Sequence, residues 1–173
     1  MRQIRRDLRK NRRSKLLAVL VLMIFLSACG GSKQFEAYNT IEANSWQEEA
    51  VQTFSFEITE QQQPLDLFFT IKNGLEYPYH NLYVKYRLVK KDEDKDQLVA
   101  EDLVEFILFN PKTGEPLGSG SSGWYDQEFP LKKSYQFDAA GQYEIQFQQY
   151  MRKGSLNDVA TVGFAFDSPK EQQ

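Results

Sequence analysis

The chain has 173 residues, of which 21 are basic, 24 acidic and 14% aromatic, with Cys29 its only cysteine and His80 its only histidine. One cysteine excludes an intrachain disulfide, and a single Cys with a single His excludes a usual four-ligand zinc site. The length suits one domain with a proper core, for which 13 Phe and 9 Tyr supply large apolar surfaces.

The N-terminal stretch is unlike the rest. Arg2, Arg5, Arg6, Arg9, Lys10, Arg12, Arg13 and Lys15 form a basic segment, and residues 16–26 form an apolar one of eleven residues. That is too short for a permanent membrane helix, which needs about 20 residues. It fits the apolar region of a signal peptide. The run Leu26-Ser27-Ala28-Cys29 follows, with small residues ahead of the thiol. A lipoprotein signal predicts cleavage between Ala28 and Cys29 and attachment of lipid to the Cys29 sulfur, with several acyl chains for stable anchoring. The expected organisation is a leader over 1–28, a lipidated Cys and linker over 29–45, a folded domain over 46–168 and a polar tail over 169–173.

Removing the leader takes away eight basic residues and one acid, which leaves 13 basic and 23 acidic residues and a net charge near −10. A surface this acidic argues against nucleic acid, whose phosphates need cationic contacts. It argues equally against lying flat on an anionic membrane. The membrane is therefore met through the lipid on Cys29.

Gly30, Gly31, Ser32 and Lys33 read as flexible linker. Phe35, Tyr38, Ile41 and Trp46, three to five residues apart, fit either a short amphipathic helix or an extended segment laid over the domain. From Val51 the period changes to two. Phe54, Phe56 and Ile58 share a face; so do Leu65, Leu67, Phe69 and Ile71, then Leu82, Val84, Tyr86 and Leu88, then Tyr143, Ile145 and Phe147. Val162, Phe164 and Phe166 follow. Alternation of this kind predicts strands with one face in a core. Residues 103–109 are apolar on both faces except Glu105, which fits a central strand covered on both sides best, with a short buried helix as the alternative. Turn signals separate these runs, among them Pro64, Asn73-Gly74, the charged stretch 90–97, Asn110-Pro111 and Ala139-Ala140-Gly141. The expected fold is all-β: an antiparallel β-sandwich, jelly-roll or immunoglobulin-like, of seven or eight strands, tethered by its N-terminal linker.

Three motifs have a plainer reading than their letters suggest. Gly118-Ser119-Gly120-Ser121-Ser122-Gly123 spells the dinucleotide pattern, yet Pro116 precedes it and no helical pattern follows; it reads as a flexible loop. Asp92-Glu93-Asp94-Lys95-Asp96 starts like a calcium loop, but Gln97 and Leu103 stand where Gly and Glu are needed, so it reads as a solvated loop. His80 would have to serve any Ser-His-Asp or Cys-His system alone, since Cys29 carries lipid, and it reads as a loop residue. Acids are plentiful enough for a carboxylate-pair glycosidase, and no two are singled out. No catalytic residue, cofactor or metal site is assigned. Trp124, Tyr125, Tyr79 and Tyr83 could form an aromatic patch for protein contact or sugar stacking.

The order of signals resembles the GldH family of gliding-motility lipoproteins of the Bacteroidota. The residues that carry the likeness are Cys29, Phe35, Tyr38, Trp46, Phe54-Ser55-Phe56, and Asn73 ahead of Tyr77-Pro78-Tyr79-His80-Asn81-Leu82-Tyr83. Further on come Gly114, Leu117-Gly118-Ser119-Gly120, Gly141-Gln142-Tyr143, Gln149-Tyr150-Met151-Arg152 and Asp158-Val159-Ala160-Thr161-Val162-Gly163. The chain departs from the family at Glu115-Pro116 and in the acidic stretch 92–96. The resemblance implies a role in gliding motility with the associated type IX secretion apparatus, no enzymatic activity, and only Cys29 as a site carried over. The expected partners are the membrane, through that lipid, and other gliding or secretion proteins of the envelope. Gly30 after Cys29, and no acid in 30–34, predicts the periplasmic face of the outer membrane. Tyr77, Tyr79, His80, Trp124 and Arg152 are the candidate partner contacts. The rival reading is a carbohydrate- or peptidoglycan-binding lipoprotein.

Overall fold

The computed structural model describes residues 33–59 and 63–169; Cys29 and the leader lie outside the described residues. The described chain is all-β and antiparallel, with a single short 3₁₀ turn at Glu42–Asn44. Eleven strands are formed, more than the seven or eight expected: β1 (Phe35–Thr40), β2 (Ser45–Gln47), β3 (Gln52–Ile58), β4 (Leu65–Gly74), β5 (Asn81–Lys90), β6 (Gln97–Ile107), β7 (Ser119–Ser121), β8 (Trp124–Tyr135), β9 (Gly141–Gln149), β10 (Ser155–Asn157) and β11 (Val159–Asp167). They pair as a five-stranded sheet in the order β1-β11-β4-β8-β7, a four-stranded sheet in the order β3-β9-β5-β6, and a small pair of β10 with β2.

In β3, β4, β5 and β9 alternation places one face inward. In β4 Leu65, Leu67, Phe69 and Ile71 are buried, and in β9 Tyr143, Ile145 and Phe147. The two large sheets meet through rings: Phe69 of β4 stacks on Phe106 of β6 at 4.7 Å and meets Phe147 of β9 edge-on at 5.1 Å. Phe56 of β3 lies 5.1 Å from Phe164 of β11. Tilted, edge-on and offset ring pairs of this kind add to the burial of apolar area.

Three expectations change. Part of the stretch expected as linker, Phe35–Thr40, is a strand paired along its whole length with β11, from Phe35↔Phe166 to Thr40↔Thr161. Of the two local readings the extended one is realised, because an open strand edge supplies the backbone partners that an isolated helix of this length lacks. Residues 103–107, expected in a central strand, close β6, which pairs only with β5; Leu103 is 48% exposed. Glu101, Asp102 and Glu105 project from this edge, where charge discourages further pairing. The Gly-Ser run is a hairpin: β7 pairs with β8 through Ser121↔Trp124, and Ser122 and Gly123 take φ of 57° and 83°. Positive φ at both central residues suits the twist of a two-residue hairpin. β8 is not among the expected strands, and it runs through Pro130. β8 meets β7 only over Asp126 to Trp124, so Pro130 stands on an open edge where a missing N–H costs no ladder bond.

Register defines two ends. Phe35, Phe166, Leu67 and Lys132 align at the end where the described chain enters at Lys33. Thr40, Thr161, Lys72 and Asp126 align toward the other. The turns after β4, β6, β7 and β9 all gather at that second end, which Trp46 and Leu156, both fully buried, close from below through the β2–β10 pair.

Candidate functional site

The far end is shaped by polar residues that occupy inward positions. Asn73 continues the phase of Leu65, Leu67, Phe69 and Ile71 and is fully buried; Gln149 continues that of Tyr143, Ile145 and Phe147 and is fully buried too. Buried amides require partners. Gln127 of β8 donates from Nε2 to Asn73 Oδ1 at 2.7 Å and to the Leu108 carbonyl at 3.2 Å, and Asn73 Nδ2 donates to the Gly74 carbonyl at 3.2 Å. This joins β4, β8 and the segment after β6 at one point.

Asp158 holds the next turn. Its carbonyl accepts from the Gly74 amide at 2.8 Å and its carboxylate from the Glu76 amide at 2.7 Å. A Cβ at position 74 would fall inside that carboxylate, so the close approach needs glycine. The turn then delivers Tyr77 into the core. Tyr77 is buried, donates its hydroxyl to the Asn81 carbonyl at 3.1 Å, stacks on Phe109 and meets Tyr79 edge-on at 6.1 Å. Burial pushes its phenol well above the ordinary tyrosine range, with the neighbouring Tyr79 adding to the shift.

The five candidate contacts do not form one patch. Tyr77 and Tyr79 touch, but Tyr77 is interior and supports Tyr79. His80 contributes its carbonyl, which accepts from the amides of Leu108 and Phe109, while its ring is exposed. Trp124 sits half-buried at the start of β8, opposite Gly74 and Ser121, in the other sheet. Arg152 joins Tyr79 across the turn after β9. They share a cleft of about 370 Å³ with Tyr83, Tyr150, Met151 and Lys153. Tyr83 comes from β5 and, with its hydroxyl bonded to the Glu105 carboxylate, is held above the usual tyrosine range. Four of these lining residues were not among the candidates, although the run Gln149-Tyr150-Met151-Arg152 carried a signal: a glutamine on the apolar phase of a strand marks a buried amide that organises the turn behind it.

A second concavity, of about 470 Å³, lies on the outer face of the five-stranded sheet, where Tyr38, 61% exposed, stands with Glu36, Lys72, Asp126 and Glu128. The Glu36 carboxylate raises the Tyr38 phenol, chiefly by its charge. Lys72 pairs with Asp126 at 3.4 Å. Among the described residues no group of three or more His, Cys, Asp or Glu is placed to hold a metal ion. In the acidic stretch Asp96 pairs with Lys91, and the hydrogen bond from Lys91 lowers its carboxyl below the usual range.

The arrangement has relatives. The chain is 26% identical over 152 residues to the gliding motility lipoprotein GldH homolog of Christiangramia forsetii, covering 84% of this chain and 90% of that one. It is 22% identical over 156 residues to the gliding motility lipoprotein GldH of Flavobacterium johnsoniae, covering 86% and 93%. Among solved structures, T=1 particles derived from infectious bursal virus align at a TM-score of 0.20 and 16% identity, over 83% of this chain and 43% of theirs, too weak a likeness to carry an argument. A family model described as GldH lipoprotein matches residues 33–166, which takes in every strand but the last residue of β11 and reaches both the Asn73 junction and the tyrosine cleft; the chain belongs to the GldH lipoprotein family.

Proposed function

We propose that this chain is a non-enzymatic lipoprotein of the outer membrane that supports gliding motility and the associated type IX secretion machinery as a docking body. Its two large sheets make a β-sandwich, jelly-roll or immunoglobulin-like, held by lipid on Cys29 at the periplasmic face. The relatives' names and their near full-length match support the motility reading. The observation that carries the docking role is the far end itself: buried amides fix its turns, and those turns present exposed Tyr150 and Arg152 beside Tyr79. Side chains of this type, held rigid, are those that dominate protein contacts. Deletion of the gene is expected to abolish colony spreading and to lower secreted protein; normal behaviour in both assays would reject the reading. Protease added to intact cells should leave the domain whole, and its removal would place it on the outer surface.

The groove at Tyr38 favours a second reading, a glycan-binding lipoprotein. An exposed ring beside carboxylates and the hydroxyls of Thr70, Ser119 and Thr161 offers both a stacking face and acceptors for sugar hydroxyls. Peptidoglycan pull-down that is lost on Tyr38→Ala would support it; pull-down equal to that of an unrelated lipoprotein would not.

A further inference from the structure

We infer that the cleft of Tyr79, Tyr83, Tyr150, Met151, Arg152 and Lys153 docks an acidic peptide segment bearing an aromatic side chain, an inference that rests on the docking role proposed above. The site is built before any ligand arrives. The Gln149 side chain spans the turn behind it: the Met151 amide donates to Oε1 at 2.9 Å, and Nε2 donates to the Lys153 carbonyl at 2.9 Å. The Tyr150 amide donates to the Tyr83 carbonyl at 2.8 Å, and the Tyr83 amide to Met151 Sδ at 3.3 Å. Tyr79 leans on buried Tyr77, and Tyr77 on Phe109. Glu105 accepts from Asn81 Nδ2 at 2.6 Å and from the Tyr83 hydroxyl, which fixes the Tyr83 ring at the cleft wall. A surface already ordered loses little entropy on binding.

The lining chemistry selects the occupant. Three phenol rings and a thioether make an apolar floor suited to an aromatic side chain. Arg152 and Lys153 stand side by side, and among the described residues neither has an ion-pair partner, in a chain whose net charge is near −10 once the leader is gone. Adjacent free cations in so acidic a molecule complement a carboxylate-bearing partner, and Arg engages a carboxylate with two parallel bonds. A sugar fits less well, because no lining side chain is a carboxylate or an amide that would accept from its hydroxyls.

The test uses the full chain in detergent micelles and fluorescence polarisation with capped decapeptides. One set alternates Glu or Asp with Phe or Tyr; a second replaces every acid by Lys; a third replaces every aromatic by Ala. The first set is expected to bind, with the other two at least about tenfold weaker. Tyr150→Ala and the pair Arg152→Ala, Lys153→Ala should each weaken binding by about tenfold or more while leaving the melting curve in place. Added salt should weaken it further. Absence of binding in the first set, equal binding of the Lys set, or indifference to these substitutions overturns the inference. So does binding of galacturonate oligomers that these substitutions abolish while the peptides stay silent. A deletion strain that spreads and secretes normally would reject the motility reading and leave peptide binding standing; a defective strain whose protein binds no peptide would reject the cleft alone.

Discussion

At the end where the described chain enters, Phe56 lies within 6.1 Å of five other rings, those of Phe35, Phe137, Tyr143, Phe164 and Phe166. At the opposite end, three buried amides, Asn73, Gln127 and Gln149, are tied to named backbone and side-chain atoms within 3.2 Å. The first end is held by apolar packing, which has little direction and accepts many arrangements of similar volume. The second is held by hydrogen bonds, which have direction and fix the shape of turns. Stability and surface geometry are thus carried by different ends, and substitutions can separate them.

The largest effect belongs to the aromatic end. Phe56→Ala removes the ring that contacts both sheets and should cost about 3–5 kcal/mol, read as a lower urea midpoint. Below that midpoint the surviving folded fraction should keep the far-end cleft, so peptide affinity per folded molecule should not change. A parallel loss of affinity would show that the two ends are not separable.

At the far end, Gln127→Leu leaves Asn73 Oδ1 and the Leu108 carbonyl without their shared donor. The expected cost is about 1–3 kcal/mol, with faster amide exchange in the segments after β4 and β6. Exchange that quickens equally throughout the sheets would argue against a local joint.

Tyr77 sharpens the comparison through pH. Its folded pKa is raised by burial, so the neutral phenol contributes stability that is fully present below the unfolded tyrosine pKa of about 10 and is lost as pH rises above it. The absorbance change of this phenol should therefore accompany loss of ellipticity, and Tyr77→Phe should move alkaline unfolding to higher pH. An unmoved transition would place the alkaline weakness elsewhere.

The smallest effect concerns the acidic stretch at the entry end. Asp96 has a depressed folded pKa through Lys91, so their contribution is present above the unfolded carboxylate pKa and disappears as pH falls through the folded value. Lys91→Ala should raise the Asp96 pKa in a carbon-13 titration and leave the thermal midpoint unchanged, because an exposed pair contributes little. A clear fall in that midpoint would give this stretch a structural weight that its exposure denies.

Much of this was legible in one dimension. Alternation assigned Phe54 and Phe56, Leu65 through Ile71, Leu82 through Leu88, and Tyr143 through Phe147 to inward faces, because a strand's period of two is a property of its own backbone. The same period, followed one step further, points to Asn73 and Gln149 as buried amides. The expectation of lipid on Cys29 rests likewise on neighbours along the chain, and Cys29 lies outside the described residues. What tertiary structure decided is adjacency. That Phe35–Thr40 joins β11, that β6 is an edge and not a centre, and that β8 continues through Pro130 depend on which strand lies alongside, and long-range pairing is not written in any one segment. Arg152 meets Tyr79 and Tyr83 across about 70 residues of sequence for the same reason: β5 and β9 pair in register, with Val84 opposite Gln149, and the turns at their ends are brought to one place. A side chain's phase comes from its own strand, and its company comes from the sheet.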